Sequence, residues 1–209
     1  MKIMNKTFLL ISRCVGVLFI LFYKAGRQWN RIANFVTSSV ISTLISTKGR
    51  FNVIRPVNIS GFKYITAHSV TAGSNLRIEV INKYESQQFM PDLHIGENVS
   101  FNVNCHVGVI NRVAIGNNVL IGSNVLITDH SHGTTDLVTL KQVHPQQRLL
   151  FSKGPVIIED DVWIGENVCI LPNVIIGKGS VIGCNTVVNK NVPPYSIVVG
   201  NPMRILHAR

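Results

Sequence analysis

A step of six residues governs most of this chain. Counting from Ile95, an aliphatic or aromatic start recurs at Ile95-Gly96, Phe101 and Val107-Gly108. After a two-residue slip it resumes at Ile115-Gly116, Ile121-Gly122 and Ile127. Beyond a break of about 30 residues the same frame returns at Ile158, Ile164-Gly165, Ile170, Ile176-Gly177, Ile182-Gly183 and Val188. The fifth position of the step holds Val99, Cys105, Val119, Val125, Val162, Val168, Val174, Ser180, Thr186 and Val192, all small or β-branched. A period of six fits neither the 3.6 of a helix nor the 2 of a simple strand. It is met by short strands that bend every six residues, with Gly, Asn and Asp accepting positive φ at the bends. The first and fifth positions then face inward. They stack on their equivalents one coil away, three steps to a coil, so each coil buries its wall only against its neighbours. Ile54 to Val80 reads as a degenerate start of the same pattern, with Ile59, Ile65 and Thr71 keeping the step.

The expected organisation is therefore an all-β solenoid over residues 51–209, preceded by a basic helical segment over residues 1–50. Charge divides at the same place. The net charge is +10, but residues 1–50 carry +8 with no acid, the first acid being Glu79, and the remainder carries only +2. Phe8–Tyr23 is an apolar run of 16 residues interrupted by Arg13. That is short for a span, which wants about 20 apolar residues. The following KAGRQWN makes a poor signal-cleavage site. A second segment places Trp29, Ile32, Ala33, Val36, Val40, Leu44 and Ile45 on a helical stripe, with Gln28, Arg31, Asn34, Ser38 and Ser42 opposite. Apolar stripe, basic flanks and no acids predict association with an anionic membrane surface; packing on the body or on a neighbouring subunit is the alternative. No nucleic-acid signature accompanies the charge. The four cysteines lack C-x-x-C spacing and read as free thiols rather than disulfides or a zinc site.

The repeat breaks at Thr128-Asp129-His130-Ser131-His132-Gly133, and residues up to about Pro155 have no frame. A loop inside a regular solenoid is usually functional. A histidine there can exchange a proton near neutral pH. Transfer of an acyl group from a thioester to an alcohol needs that service, since the hydroxyl loses a proton as the thiolate gains one. Adjacent residues on a strand point apart, so Asp129 and His130 are not expected to pair. His68 reads as a surface residue, and His94, His106, His144 and His207 as structural ones; Cys105 reads as core.

Ile95 to Arg204 resembles the hexapeptide-repeat acyltransferases. It is similar to the maltose/galactoside O-acetyltransferase branch and, more closely, to bacterial O-acetyltransferases of lipopolysaccharide and capsule assembly. The shared elements are Asn102, the DHSHG stretch 129–133, Ser152-Lys153-Gly154-Pro155-Val156, Val162 to Asn167, Ile170-Leu171-Pro172, Val199-Gly200-Asn201-Pro202 and Arg204. Arg55-Pro56 and Gly61-Phe62-Lys63 also look like that group. The resemblance implies a left-handed parallel β-helix with loop 128–156 inserted, and a homotrimer with each site between two solenoids. By that resemblance His130 is the catalytic base and Asn102 orients the acceptor. Trp163, Gly165, Cys184, Asn189, Lys190 and Arg204 would line the groove for acetyl-coenzyme A, with no metal. The sugar acetyltransferases have Gly where this chain has Asp129, and His132 is additional, which leaves His132 as a second candidate base or acceptor contact.

The implied activity is O-acetylation of a sugar hydroxyl on a lipid-linked, nucleotide-linked or polymeric surface saccharide. It would take place in the cytoplasm or at the inner face of the cytoplasmic membrane. The alternatives are a nucleotide-sugar N-acetyltransferase and a γ-type carbonic anhydrase on the same solenoid. The latter needs three zinc imidazoles, and the spacing of His130 and His132 does not match its pair.

Overall fold

The computed structural model describes the backbone of residues 6–207 and the side chains of residues 22–206. The apolar run up to residue 21, with Arg13 and Cys14, and the His207 side chain lie outside the described side chains.

The six-residue step builds three parallel sheets that the chain visits in rotation. Face A stacks Ser46–Thr47, Ile65–Ala67, Asp92–Ile95, Arg112–Ile115, Val156–Ile158 and Val174–Ile176. Face B stacks Phe51–Val53, Val70–Ala72, Val99–Phe101, Leu120–Ile121, Trp163–Ile164, Val181–Ile182 and Ser196–Val199. Face C stacks Val57–Ser60, Leu76–Val80, His106–Val109, Leu126–Thr128, Cys169–Ile170 and Val187–Val188. Every strand pairs in parallel with its counterpart one coil on. The exception is Arg204–His207, which folds back antiparallel on Ser196–Val199.

The register puts the sequence frame in columns. Ile95, Ile115, Ile158 and Ile176 align on face A. Phe101, Ile121, Ile164 and Ile182 align on face B, and Val107, Ile127, Ile170 and Val188 on face C. All are buried, as is every fifth-position residue, Ser180 and Thr186 included. Strands about 4.8 Å apart make these columns continuous apolar rods.

The first coils keep the architecture but not the frame. Thr71 points outward and Val70 and Ala72 point inward. Ala67 pairs with Ile95 and Ala72 with Phe101, five residues on from one and six from the other. The corner between them is one residue short, which shifts the frame by one.

Residues Lys6–Leu44 form one helix rather than two. The side that faces the coil carries Asn34, Ser38 and Ser42 together with Ile41 and Ile45, so Ile45 belongs to the contact and not to the outer apolar stripe expected of it. The backbone N–H groups of Phe51, Val53 and Arg55 point off the free edge of face B. They donate to Ser42 Oγ (3.3 Å), Ser38 Oγ (2.9 Å) and Asn34 Oδ1 (3.1 Å). Asn34, Ser38 and Ser42 lie four residues apart, one helical face, so a helix satisfies the edge of a sheet. An unpaired buried N–H costs about 1–3 kcal/mol. Ile41 and Ile45 complete the contact by entering the core.

Candidate active site

Three corners join the faces, and the C–A corner carries the insertions. After face C of the second coil, Lys83–Tyr84 and Gln87–Gln88 form a hairpin. After face C of the fourth coil comes the loop that begins at Asp129. Ser131–His132 pairs antiparallel with Leu150–Phe151, and between them lies a short helix, Leu137–Gln142. The Asp136 carboxylate caps that helix by accepting from Thr139 N (2.9 Å). The side-chain hydrogen bond from Thr134, with those from Thr139, holds the Asp136 carboxyl far below the usual carboxylate range. The hairpin clamps the returning strand: Gln87 Nε2 donates to Leu150 O (3.0 Å) and Leu150 N donates to Gln87 Oε1 (2.7 Å). No sequence signal marks the hairpin as part of the site.

Between hairpin, loop and face C lies a cleft of about 300 Å³ lined by Arg77, Glu79, Tyr84, His106, Thr128, His130, His132 and Leu150. Contrary to the expectation that neighbours on a strand diverge, Asp129 and His130 are bonded, Nδ1 to Oδ1 at 3.0 Å. The chain leaves strand geometry just after Thr128, whose Oγ1 accepts from His130 N and donates to His130 O. Asp129 turns inward, fully buried, and accepts from Ile110 N (3.0 Å) and Asn111 N (2.8 Å). A carboxylate so placed fixes a proton on Nδ1 and leaves Nε2 as the free acceptor nitrogen. The imidazole lies over Gly108, where a Cβ would come within 3.1 Å of Cε1.

His106, read as structural, stands beside it. Its Nε2 is 3.2 Å from Glu79 Oε2, and Glu79 also accepts both 2.7 Å bonds from Arg77. Burial and the Arg77 charge press the His106 pKa below its usual value, against the pull of Glu79. Burial raises the Glu79 carboxyl, but Arg77 and His106 together outweigh it and the net shift is downward. The register of face C sets Arg77 beside His106 and Glu79 beside Gly108. His132 is exposed and meets the Tyr84 ring edge-on at 5.7 Å.

The other sequence candidates divide between corners. Asn102 sits on the B–C corner, at the far end of the face C strands from His130, and its Oδ1 accepts from Val103 N (2.9 Å). Gly165 and Cys184 lie on the same corner one coil apart; a Cβ on Gly165 would come within 2.9 Å of Cys184 Sγ. Trp163 stands half exposed on face B between Leu120 and Val181. Arg204, paired with Val199, ends face B near the same corner. Asn189 and Lys190 are exposed past the end of face C, on the C–A corner. One chain thus gathers Trp163, Gly165, Cys184 and Arg204 on one side, and His130, Asn189 and Lys190 on the other. His68, half buried, lies 3.7 Å from Glu97. Cys105 is buried in the core as expected, and burial pushes its thiol pKa up. Among the described residues no group of three His, Cys, Asp or Glu side chains is placed to hold a metal.

A family model described as bacterial transferase hexapeptide (six repeats) matches residues 155–190. A second, hexapeptide repeat of succinyl-transferase, matches residues 112–135. Among curated proteins, the putative lipopolysaccharide biosynthesis O-acetyl transferase WbbJ of Escherichia coli (strain K12) is 36% identical over 65% of this chain and 67% of its own length. Other curated relatives, putative acetyltransferases of Staphylococcus aureus, are matched over only about half their length, 54%. Among solved structures, the hexapeptide-repeat-containing acetyltransferase VCA0836 from Vibrio cholerae is 31% identical, with a TM-score of 0.54 over 68% of this chain and 72% of that one. A galactoside acetyltransferase in complex with coenzyme A is 28% identical, with a TM-score of 0.51 over 80% of this chain and 67% of that one.

Proposed function

The chain belongs to the hexapeptide-repeat acetyltransferases, and from that membership and its site we propose that it O-acetylates a sugar hydroxyl of a surface saccharide from acetyl-coenzyme A. The Asp129–His130 contact, which frees Nε2 toward the cleft, carries this reading. The donor supplies an activated acyl carbon on a good leaving group, a thiolate. His130 Nε2 takes the hydroxyl proton as the oxygen attacks, and gives it to the departing sulfur, so the proton count closes and no acyl-enzyme is needed. Asp129 is a positioning residue that holds the tautomer and steadies the imidazolium.

The exposed Trp163 indole and the Arg204 and Lys190 cations suit the apolar arm and phosphates of coenzyme A. They stand at opposite ends of face C. A homotrimer that sets the B–C corner of one chain against the C–A corner of the next would unite them, and would bring Asn102 to the acceptor hydroxyl. The family's left-handed coil and a body of residues 51–209 with its inserted loop complete the reading. The O-acetyl assignment and a lipopolysaccharide acceptor draw on the similarity to the Escherichia coli protein.

The test is acetyl transfer from labelled acetyl-coenzyme A to a panel of saccharides. His130→Ala is expected to lower kcat by about 10²–10⁴-fold with coenzyme A binding retained. Full activity in that variant, with His132→Ala inactive, would move the base to His132.

A further inference from the structure

The N-terminal helix spends its polar side on the edge of face B, and this fixes what the other side presents. Phe22, Trp29, Ile32, Val36 and Val40 lie on one stripe at helical spacing, opposite Ser38, Ile41 and Ile45. All five are exposed, Phe22 at 75%, Trp29 at 69% and Val36 at 53%. Residues 22–32 are all exposed, so the helix runs on roughly 17 Å ahead of Ala33 with most of its surface uncovered by the coil. Lys24, Arg27 and Arg31 flank the stripe, Lys48 and Arg50 follow the helix, and no acid occurs before Glu79.

We infer that this face docks on an anionic lipid surface, the helix lying in the plane of the headgroups with the coil hung beneath its polar side. The stripe supplies burial, a tryptophan suits the interfacial depth, and the basic flank is complementary to acidic headgroups. A second copy is a poorer occupant, because apposed helices would bring acid-free basic segments together. No helix among the described residues is long and apolar enough to cross a membrane. The placement deepens the saccharide reading and rests on it only for its purpose. Face C strands follow one another from Val57–Ser60 through Leu76–Val80 and His106–Val109 to Leu126–Thr128. At about 4.8 Å per strand, His106 and Thr128 stand roughly 10–14 Å along the coil from the helix-capped end. A saccharide on a lipid anchor would reach the cleft from that end.

Co-sedimentation of the full chain tests this with phosphatidylcholine vesicles, with and without phosphatidylglycerol. The chain is expected to pellet with the anionic vesicles, and several-fold less in about 0.5 M salt. Trp29→Glu with Val36→Glu should cut binding by roughly tenfold or more without changing the thermal midpoint, since neither residue touches the coil. Arg27→Gln with Arg31→Gln keeps the stripe and should weaken only the anionic preference. Absence of wild-type binding overturns the inference, as does equal binding by the Trp29/Val36 variant. So does a variant that lowers the mass in solution while vesicle binding persists, which would give the face to a second copy. Acetyl transfer to a soluble saccharide without vesicles is independent of the stripe. A chain that pellets but transfers no acetyl group sinks the enzymatic reading and leaves this one standing.

Discussion

Side-chain amides zip two corners of the coil, while the third corner carries the insertions and the Asp129–His130 pair. On the B–C corner Asn75 donates to Asn104, Asn104 to Asn124 and Asn124 to Asn167, at 2.8–3.1 Å. On the A–B corner Asn98 donates to Asn118 and Asn118 to Asp161. Each of these residues has positive φ, between 54° and 61°. Asparagine tolerates that conformation, and its amide both donates and accepts, so one residue type makes the turn and links it to the next coil. No such ladder runs along the C–A corner among the described residues. There the chain leaves the coil for the hairpin and the long loop, and its buried hydrogen bonds converge on Asp129. A solenoid can interrupt one corner because the other two keep the coils in register.

The sharpest way to break this contrast is at Asp129. Asp129→Asn keeps an oxygen for the Ile110 and Asn111 N–H groups but turns an amide donor toward His130, favouring the tautomer with Nε2 protonated. Turnover is expected to fall by roughly 10²-fold or more, with unfolding free energy lowered by only about 1–3 kcal/mol. Normal kcat in this variant would remove Asp129 from the mechanism. At a laddered corner the pattern should invert. Asn118→Ala loses two amide bonds and forces a Cβ-bearing residue to stay at φ 56°; the expected loss is about 2 kcal/mol in denaturant unfolding, with kcat unchanged. Asn118→Gly should recover the conformational part and leave only the ladder bonds missing. Equal losses for the two would mean that the amides, not the backbone, hold the corner.

Gly108→Ala probes the C–A corner more gently. The added methyl would meet His130 Cε1 at 3.1 Å and Thr128 Oγ1 at 3.5 Å, and His130 is held from behind by Asp129. About a tenfold loss in kcat is expected from the displaced imidazole, with little change in thermal midpoint because Gly108 has no positive φ to lose. A variant as active as the parent would show that the imidazole has slack.

The same division explains what could be read from the residues. The columns through Ile115, Ile121 and Ile127 were legible because a buried wall repeats its chemistry every six positions. His130 was legible because it sits where that repetition stops. The bond to Asp129 was not, since it depends on Thr128 bending the chain out of strand geometry, a local event that no periodicity encodes. His106 carries no such mark, because its partner Glu79 lies 27 residues away and meets it only through the register of face C. The residue pattern marks the helix as amphipathic, but not which side meets the body. The polar side wins because the coil offers it a row of unpaired N–H groups, and an apolar side could satisfy none of them.

The smallest effect separates His106 from His130. Its imidazole titrates below 6.5 because burial and Arg77 disfavour the cation, while Glu79 partly restores it. Glu79→Gln removes that restoring charge, so the midpoint followed by the Cε1 proton in an NMR titration should move further down, not up. The linkage has a definite sign. A histidine with a depressed native pKa contributes stability above its unfolded value near 6.5, and loses it as pH falls from there toward the native value. The downward shift of Glu79 acts in the same direction at lower pH, its contribution present above 4.5 and lost as the carboxyl protonates. The parent should therefore lose stability first between pH 6.5 and the His106 midpoint, then again below 4.5. Glu79→Gln should delete the second loss and carry the first to lower pH. An upward move of the His106 midpoint in that variant would mean that Arg77, freed of Glu79, turns away from the cleft, and that the cluster is held together by the carboxylate alone.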